Sequence, residues 1–191
     1  AVSLTTTGTT GAATVVNAAA LDLAASTVNG NLIATATEGN LTNSGLVTVT
    51  GTSSFTTSES DADIDLGTLA STGAVSLTTT GTTGAATVVN ATDLDLAAST
   101  VNGDLVATAT TGNLTDSGTV TVTGTSSFAT SAADADIDLG TLASTGPVAL
   151  TTIGTTGAAT VVNATDLDLA ASTVNGDLVA TATTGNLTDS G

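Results

Sequence analysis

Asp63-Ile64-Asp65-Leu66, followed by Gly73-Ala74-Val75-Ser76-Leu77-Thr78-Thr79-Thr80-Gly81, decides the fold because it returns. Its second appearance is Asp136-Ile137-Asp138-Leu139 with Gly146-Pro147-Val148-Ala149-Leu150-Thr151-Thr152-Ile153-Gly154, 73 residues further on. Ala1 stands at the phase of Ala74 and Pro147, which divides the chain into repeats 1–73, 74–146 and a partial 147–191. A fixed period of this kind marks units that bury their apolar faces on one another. Because Ala1 falls in mid-pattern, the sequence reads as a window in a longer repetitive chain, with any export signal outside it.

Within a period, short runs alternate apolar and hydroxylic residues and are separated by glycines, which is the pattern of strands and turns. Three rungs are expected per period: Ala85–Gly112, Asn113–Ala135 and Asp136–Gly157. Their comparable strands would be Asp104–Thr110, Thr119–Thr123 and Val148–Thr152. Ala85–Asn90 is extra to this scheme and reads as an additional short strand or a bulged corner. Leu105, Ala107, Ala109, Val120, Val122, Val75 and Leu77 are expected to point inward. Thr108, Thr110, Thr121, Thr123, Thr78 and Thr80 would point outward. Stacked in parallel at about 4.8 Å, three rungs would advance the structure about 14–15 Å per period.

Composition agrees with a β-solenoid rather than an ordinary globule. The 191 residues contain no Lys, Arg, His, Cys, Met, Trp or Tyr, and only Phe55 and Phe128 are aromatic. Ala, Val, Leu and Ile suit a thin interior between stacked strands, Thr suits their outer face, and Gly and Asn serve corners. Disordered chains are poor in β-branched residues, and this one is rich in them. Thr, Gly, Asn and Val also make helix unfavourable. The expected fold is all-β, a parallel β-helix.

The formal charge is −17 with no Lys or Arg. Direct binding of nucleic acid and of anionic membrane surfaces is therefore excluded, since both need cationic side chains against phosphate. No apolar run approaches the roughly 18–20 residues that span a bilayer, so no membrane insertion is expected. The absence of Cys says only that no disulfide is needed. Proteases that cut after basic residues have no site, which suits a chain exposed to the environment.

The succession GNLTDSGTVTVTGTSSFAT, DIDLGTLASTGAVSLTTTG and ATDLDLAASTVNGDLVATATTG resembles the repeats of very large secreted bacterial proteins of the filamentous haemagglutinin type, including the β-strand-repeat adhesins. The resemblance covers essentially the whole chain. It implies a right-handed parallel β-helix, export to the bacterial cell surface, and a role as adhesin stalk or biofilm-matrix fibre. The expected partner is the chain itself, joined end to end, together with glycans or a host surface. No secretion domain, haem ligand or receptor-binding tip falls within the sequence.

Catalysis is not expected. Without His, Cys, Lys, Arg or Tyr, a general base or nucleophile would have to come from Asp, Glu, Ser or Thr. Paired carboxylates would suit a glycosidase, but such a site occurs once in a cleft, and these carboxylates recur. As ligands they are more informative. Asp63 and Asp65, Asp93 and Asp95, Asp136 and Asp138, and Asp166 and Asp168 each flank an inward residue and so share a face. If adjacent rungs align, Asp136 and Asp138 would lie about 5 Å from Asp166 and Asp168, close enough for a hard cation such as Ca²⁺. The alternative is a solvated face that keeps the fibre soluble.

Outward Thr-x-Thr pairs at Thr48/Thr50, Thr78/Thr80, Thr108/Thr110 and Thr121/Thr123 suggest a further class of function, an ice-binding ladder. Ala149 to Ile153 interrupts that array, and Thr is in any case the favoured polar strand residue. Asn-x-Ser/Thr sequons at Asn40, Asn90, Asn113, Asn163 and Asn186 read as corner residues, with surface glycosylation as the alternative.

Overall fold

The computed structural model describes residues 1–191 and contains strands and turns without helix. The first nine strands are β1 (Ala13–Asn17), β2 (Leu21–Leu23), β3 (Ser26–Val28), β4 (Leu32–Ala36), β5 (Leu41–Asn43), β6 (Val47–Val49), β7 (Ser53–Ser60), β8 (Ile64–Ser71) and β9 (Val75–Thr80). The next nine repeat these lengths: β10 (Ala86–Asn90), β11 (Leu94–Leu96), β12 (Ser99–Val101), β13 (Leu105–Ala109), β14 (Leu114–Asp116), β15 (Val120–Val122), β16 (Ser126–Ala133), β17 (Ile137–Ser144) and β18 (Val148–Ile153). They are followed by β19 (Ala159–Asn163), β20 (Leu167–Leu169), β21 (Leu178–Ala182) and β22 (Leu187–Asp189).

All pairings are parallel, and each joins residues 19 to 23 apart, so one turn of the solenoid takes about that length. Two sheets result. One stacks β1, β4, β7, β9, β11, β14, β17, β19 and β21; the other stacks β2, β5, β8, β10, β13, β16, β18, β20 and β22. β12 and β15 lie in the layers of β11 and β14, and β3 and β6 in those of β2 and β5. Nine layers at about 4.8 Å give a body about 38 Å long.

The period contains about three turns, as its text suggests, but the pairings make it three and a half. The short segment Ala85–Asn90 supplies the difference: Ala86–Asn90 is a full layer, β10, paired with β8 on one side and β13 on the other. Equivalent segments therefore fall on opposite sheets in successive periods. β1 belongs to one sheet and β10 to the other; the same holds for β4 and β13. The three comparable strands expected to stack do not do so, because β13 and β18 lie in one sheet and β15 in the other. One period then advances about 17 Å.

The interior is one continuous cluster of 35 buried apolar residues lying between the sheets. Leu105, Ala107, Ala109, Val120, Val122, Val75 and Leu77 are all within it. Along each sheet, residues of complementary size stack: Ala34, Phe55 and Leu77 in one, and Ala107, Phe128 and Leu150 in the other. A small residue beneath each ring leaves it the room that a third large side chain would take.

Candidate functional site

The polar groups are concentrated at the corners, where the chain passes from one sheet to the other. An Asp or Asn there accepts the main-chain N–H of the residue one turn on. Asp93 Oδ1 accepts the Asn113 N–H at 2.7 Å, Asn113 Oδ1 that of Asp136 at 2.9 Å, and Asp136 Oδ1 that of Ala158 at 2.8 Å. The corresponding corner of the first period runs from Asn40 Oδ1 to the Asp63 N–H at 2.9 Å and from Asp63 Oδ1 to the Ala85 N–H at 2.8 Å. Asp166 Oδ1 likewise holds the Asn186 N–H at 2.6 Å. Corner N–H groups cannot join the sheet ladders, and these side chains provide the acceptors that such groups require.

Asp61 and Asp134 do more. Both adopt a left-handed conformation, with φ of 63° and 62°, which Asp tolerates better than most residues. Asp61 Oδ1 accepts the N–H groups of Thr82 at 2.7 Å and Thr83 at 2.8 Å; Asp134 Oδ1 accepts those of Thr155 at 2.6 Å and Thr156 at 2.8 Å. The Thr82 N–H, followed by the Thr83 N–H, holds the Asp61 carboxyl down at about 2. The Thr155 and Thr156 N–H groups lower that of Asp134 in the same way. Since the folded value lies below the unfolded one near 3.9, the associated stability is complete above about pH 4 and is lost as pH falls toward 2. Thermal melts should therefore show a decline over that range. Asp61→Asn with Asp134→Asn, which keeps the amide oxygen as acceptor and tolerates the same φ, should flatten it; an unchanged decline would contradict this role.

The eight candidate metal ligands do not assemble as pairs on adjacent rungs. Asp136 and Asp138 belong to the β17 turn, Asp166 and Asp168 to the β20 turn, and β17 and β20 are in different sheets. The half-turn in each period is what separates them. Within a sheet the aspartates alternate with threonines: Asp22, Thr42, Asp65 and Thr87 form one file, and Asp95, Thr115, Asp138 and Thr160 another. Asp168 is beside Thr188. Within each file, like charges are thus two layers, about 10 Å, apart. No group of three or more acidic side chains comes together to hold a metal ion. Asp63, Asp93, Asp136 and Asp166 instead spend an oxygen on the next turn's backbone.

The threonine pairs also divide between the sheets. Thr48 and Thr108 lie in one, Thr78 and Thr121 in the other. What forms is one file on each sheet: Thr35, Thr56, Thr78, Thr100 and Thr121, ended by Ala143, and the shorter Thr5, Thr27 and Thr48, ended by Ala70. Second members of the pairs turn into corners, where Thr80 donates to the Glu59 carbonyl at 2.8 Å.

Of the sequon asparagines, Asn90 and Asn163 are fully buried and bonded to Ser71 and Ser144, so their amides are not open to modification. Asn40 and Asn113 are corner acceptors, as expected. A further asparagine, Asn43, has both amide atoms shielded from solvent and unpartnered. Its counterpart Asp116 accepts the N–H groups of Gly140 at 2.8 Å and Thr141 at 2.9 Å and the Thr141 hydroxyl at 3.1 Å. Asn43→Asp should bring the same set to Gly67 and Thr68 and stabilise the chain by about 1–2 kcal/mol, read as a higher urea midpoint. A lower midpoint would contradict the equivalence of the two corners.

Open polar hollows recur at equivalent corners, between Thr9, Asn29 and Asn31 and again between Thr82, Asn102 and Asp104. No helix is long and apolar enough to cross a membrane. No curated protein and no solved structure matches the chain. A family model described as repeats of unknown function (DUF5649) matches residues 10–78, 83–151 and 156–191, three segments set 73 residues apart. The chain, a β-solenoid built from that unit, belongs to the DUF5649 family of repeats.

Proposed function

We propose that the chain is a structural segment of a secreted bacterial cell-surface fibre, an adhesin stalk or matrix filament, that extends by stacking end on end. The observation that carries this reading is that each turn is completed by the turns on either side of it. Leu105 and Leu114, with layers above and below them, are buried at 1% and 0%, and Asp93, Asn113 and Asp136 each hold a main-chain N–H of the following turn. Such a unit extends by adding turns, from the same chain or another copy, which pair its strand edges. The surface location draws on the resemblance of the repeat to haemagglutinin-type repeats and on the lack of basic cleavage sites. A mechanical part also suits a body whose repeating side chains are spent on holding adjacent turns together. Self-association, rather than chemistry, is the activity assigned.

Electron microscopy at rising protein concentration tests this. Rods of constant width and stepped length are expected. Leu178→Asp with Leu187→Asp, at positions already exposed, should leave single short particles without a loss of melting temperature. Compact globules at all concentrations, or rods insensitive to those changes, would contradict the reading. Neither threonine file favours ice binding over this reading, because each is one residue wide.

A further inference from the structure

The three-and-a-half-turn period gives each face a pattern of charge that the sequence does not display. On one sheet β1, β4, β7 and β9 are consecutive, and their outward residues are Thr, Ser, Val and Ile, the sole acid being Glu59 at the far end of β7. The next three layers, β11, β14 and β17, carry Asp95, Asp116 and Asp138. β19 and β21 are neutral again. The other sheet shows the same pattern half a period out of step: β10, β13, β16 and β18 are free of charge and are flanked by Asp65 on β8 and Asp168 on β20. A neutral block on one face therefore backs an acidic block on the other.

Val16, Ile33, Val106 and Val179, exposed by 64%, 47%, 41% and 53%, all lie in neutral blocks. Ile33, Val106 and Val179 hold the same position in successive periods, alternately on one face and the other, while Val16 lies in the first layer. We propose that these neutral four-strand blocks are the surfaces on which a second copy of the chain docks side by side. Every charged side chain is acidic, so two copies repel wherever acidic blocks or corners such as Asp104 and Asp134 approach, and the neutral blocks are where they can meet. The spacing selects the partner. On one face the block recurs after two periods, seven turns or about 34 Å, and another copy carries the same spacing.

The area sets the strength. Four layers by about 15 Å of strand give about 300 Å² per block, well under the roughly 800 Å² per partner of a stable complex. One block gives weak, salt-dependent pairing, and successive blocks along a fibre add by avidity. The inference rests on the solenoid and not on the end-on stacking proposed above.

Sedimentation equilibrium of the chain carrying Leu178→Asp and Leu187→Asp, which disables the end, separates the two. In about 0.01 M salt, where the screening length is about 30 Å, a monomer is expected; in about 1 M salt, where it is about 3 Å, the average mass should rise toward that of a dimer. Adding Ile33→Glu and Val106→Glu should weaken that association about tenfold or more, with circular dichroism and melting temperature unchanged. A monomer at both salt concentrations, association indifferent to Ile33→Glu and Val106→Glu, or thermal hysteresis from the monomer, which would give this face to ice, would overturn the proposal. Rods that lengthen but never pair would overturn it while leaving the filament reading intact.

Discussion

Phe128→Ala is expected to lower the unfolding free energy by about 3–5 kcal/mol, the cost of removing a buried ring from an interior with no room to relax. The ring is fully buried between Ala107 in the layer below and Leu150 in the layer above. Both neighbours are held at the strand spacing by main-chain bonds, so neither can move to fill the space. Phe55→Ala should cost about the same, since Phe55 lies between Ala34 and Leu77 in the same way. The two rings are in different sheets and three and a half turns apart, so the double variant should lose nearly the sum. Urea unfolding measures this. A loss below about 1 kcal/mol for either would mean that the interior is not packed as described.

Asn90→Ala is expected to cost about 2–4 kcal/mol because the side chain serves three main-chain groups, two of which share only the single Thr92 hydroxyl as another donor. Its Nδ2 donates to the Ser71 carbonyl at 2.8 Å and the Asp93 carbonyl at 2.6 Å, and its Oδ1 accepts the Ser71 N–H at 2.8 Å. Asn90→Asp should be no better tolerated, since an ionised carboxylate has no hydrogen to give either carbonyl. The chain contains its own control. Asn17, the same residue one period earlier, is half-buried in an outer layer and makes one such bond, to the Ala20 carbonyl at 2.7 Å. Asn17→Ala should therefore cost less than about 1 kcal/mol. Equal losses at the two positions would contradict the account.

The inward set could be read from alternation because the strand period is a property of neighbouring residues. Val75, Leu77, Leu105, Ala107 and Ala109 needed only local text to be placed, and the structure buries each of them. The half-turn could not be read in that way. A two-sheet solenoid offers nearly the same environment on either face, so identical text fits both, and a period of 73 residues is compatible with whole or half turns. Counting Ala85–Asn90 as an appendage rather than a layer was enough to place Asp136 beside Asp166. The corner acceptors were hidden for a different reason. Asp61, Asp93 and Asp136 bond to residues 20 to 22 positions away, and which residue that is depends on the turn length. Four of the eight aspartates that suggested a cation site by their spacing, Asp63, Asp93, Asp136 and Asp166, hold the backbone of the next turn.

The neutral and acidic blocks arise one level higher still. In the sequence the Asp-bearing and Asp-free strands are interleaved, and they separate into blocks only when successive half-turns are dealt alternately to two sheets. The neutral blocks and the separation of Asp136 from Asp166 thus have one cause, the odd number of half-turns in the period.

That odd number can be tested by cross-linking, since the chain has no cysteine of its own. Two double variants are oxidised: Asp138→Cys with Thr160→Cys, which are adjacent in the register of β17 and β19, and Asp138→Cys with Asp168→Cys, which lie in different sheets. A disulfide needs Cα atoms within about 7 Å. The first pair is expected to close and the second to remain reduced; closure of the second with the first left open would show that the period holds whole turns and would contradict the account.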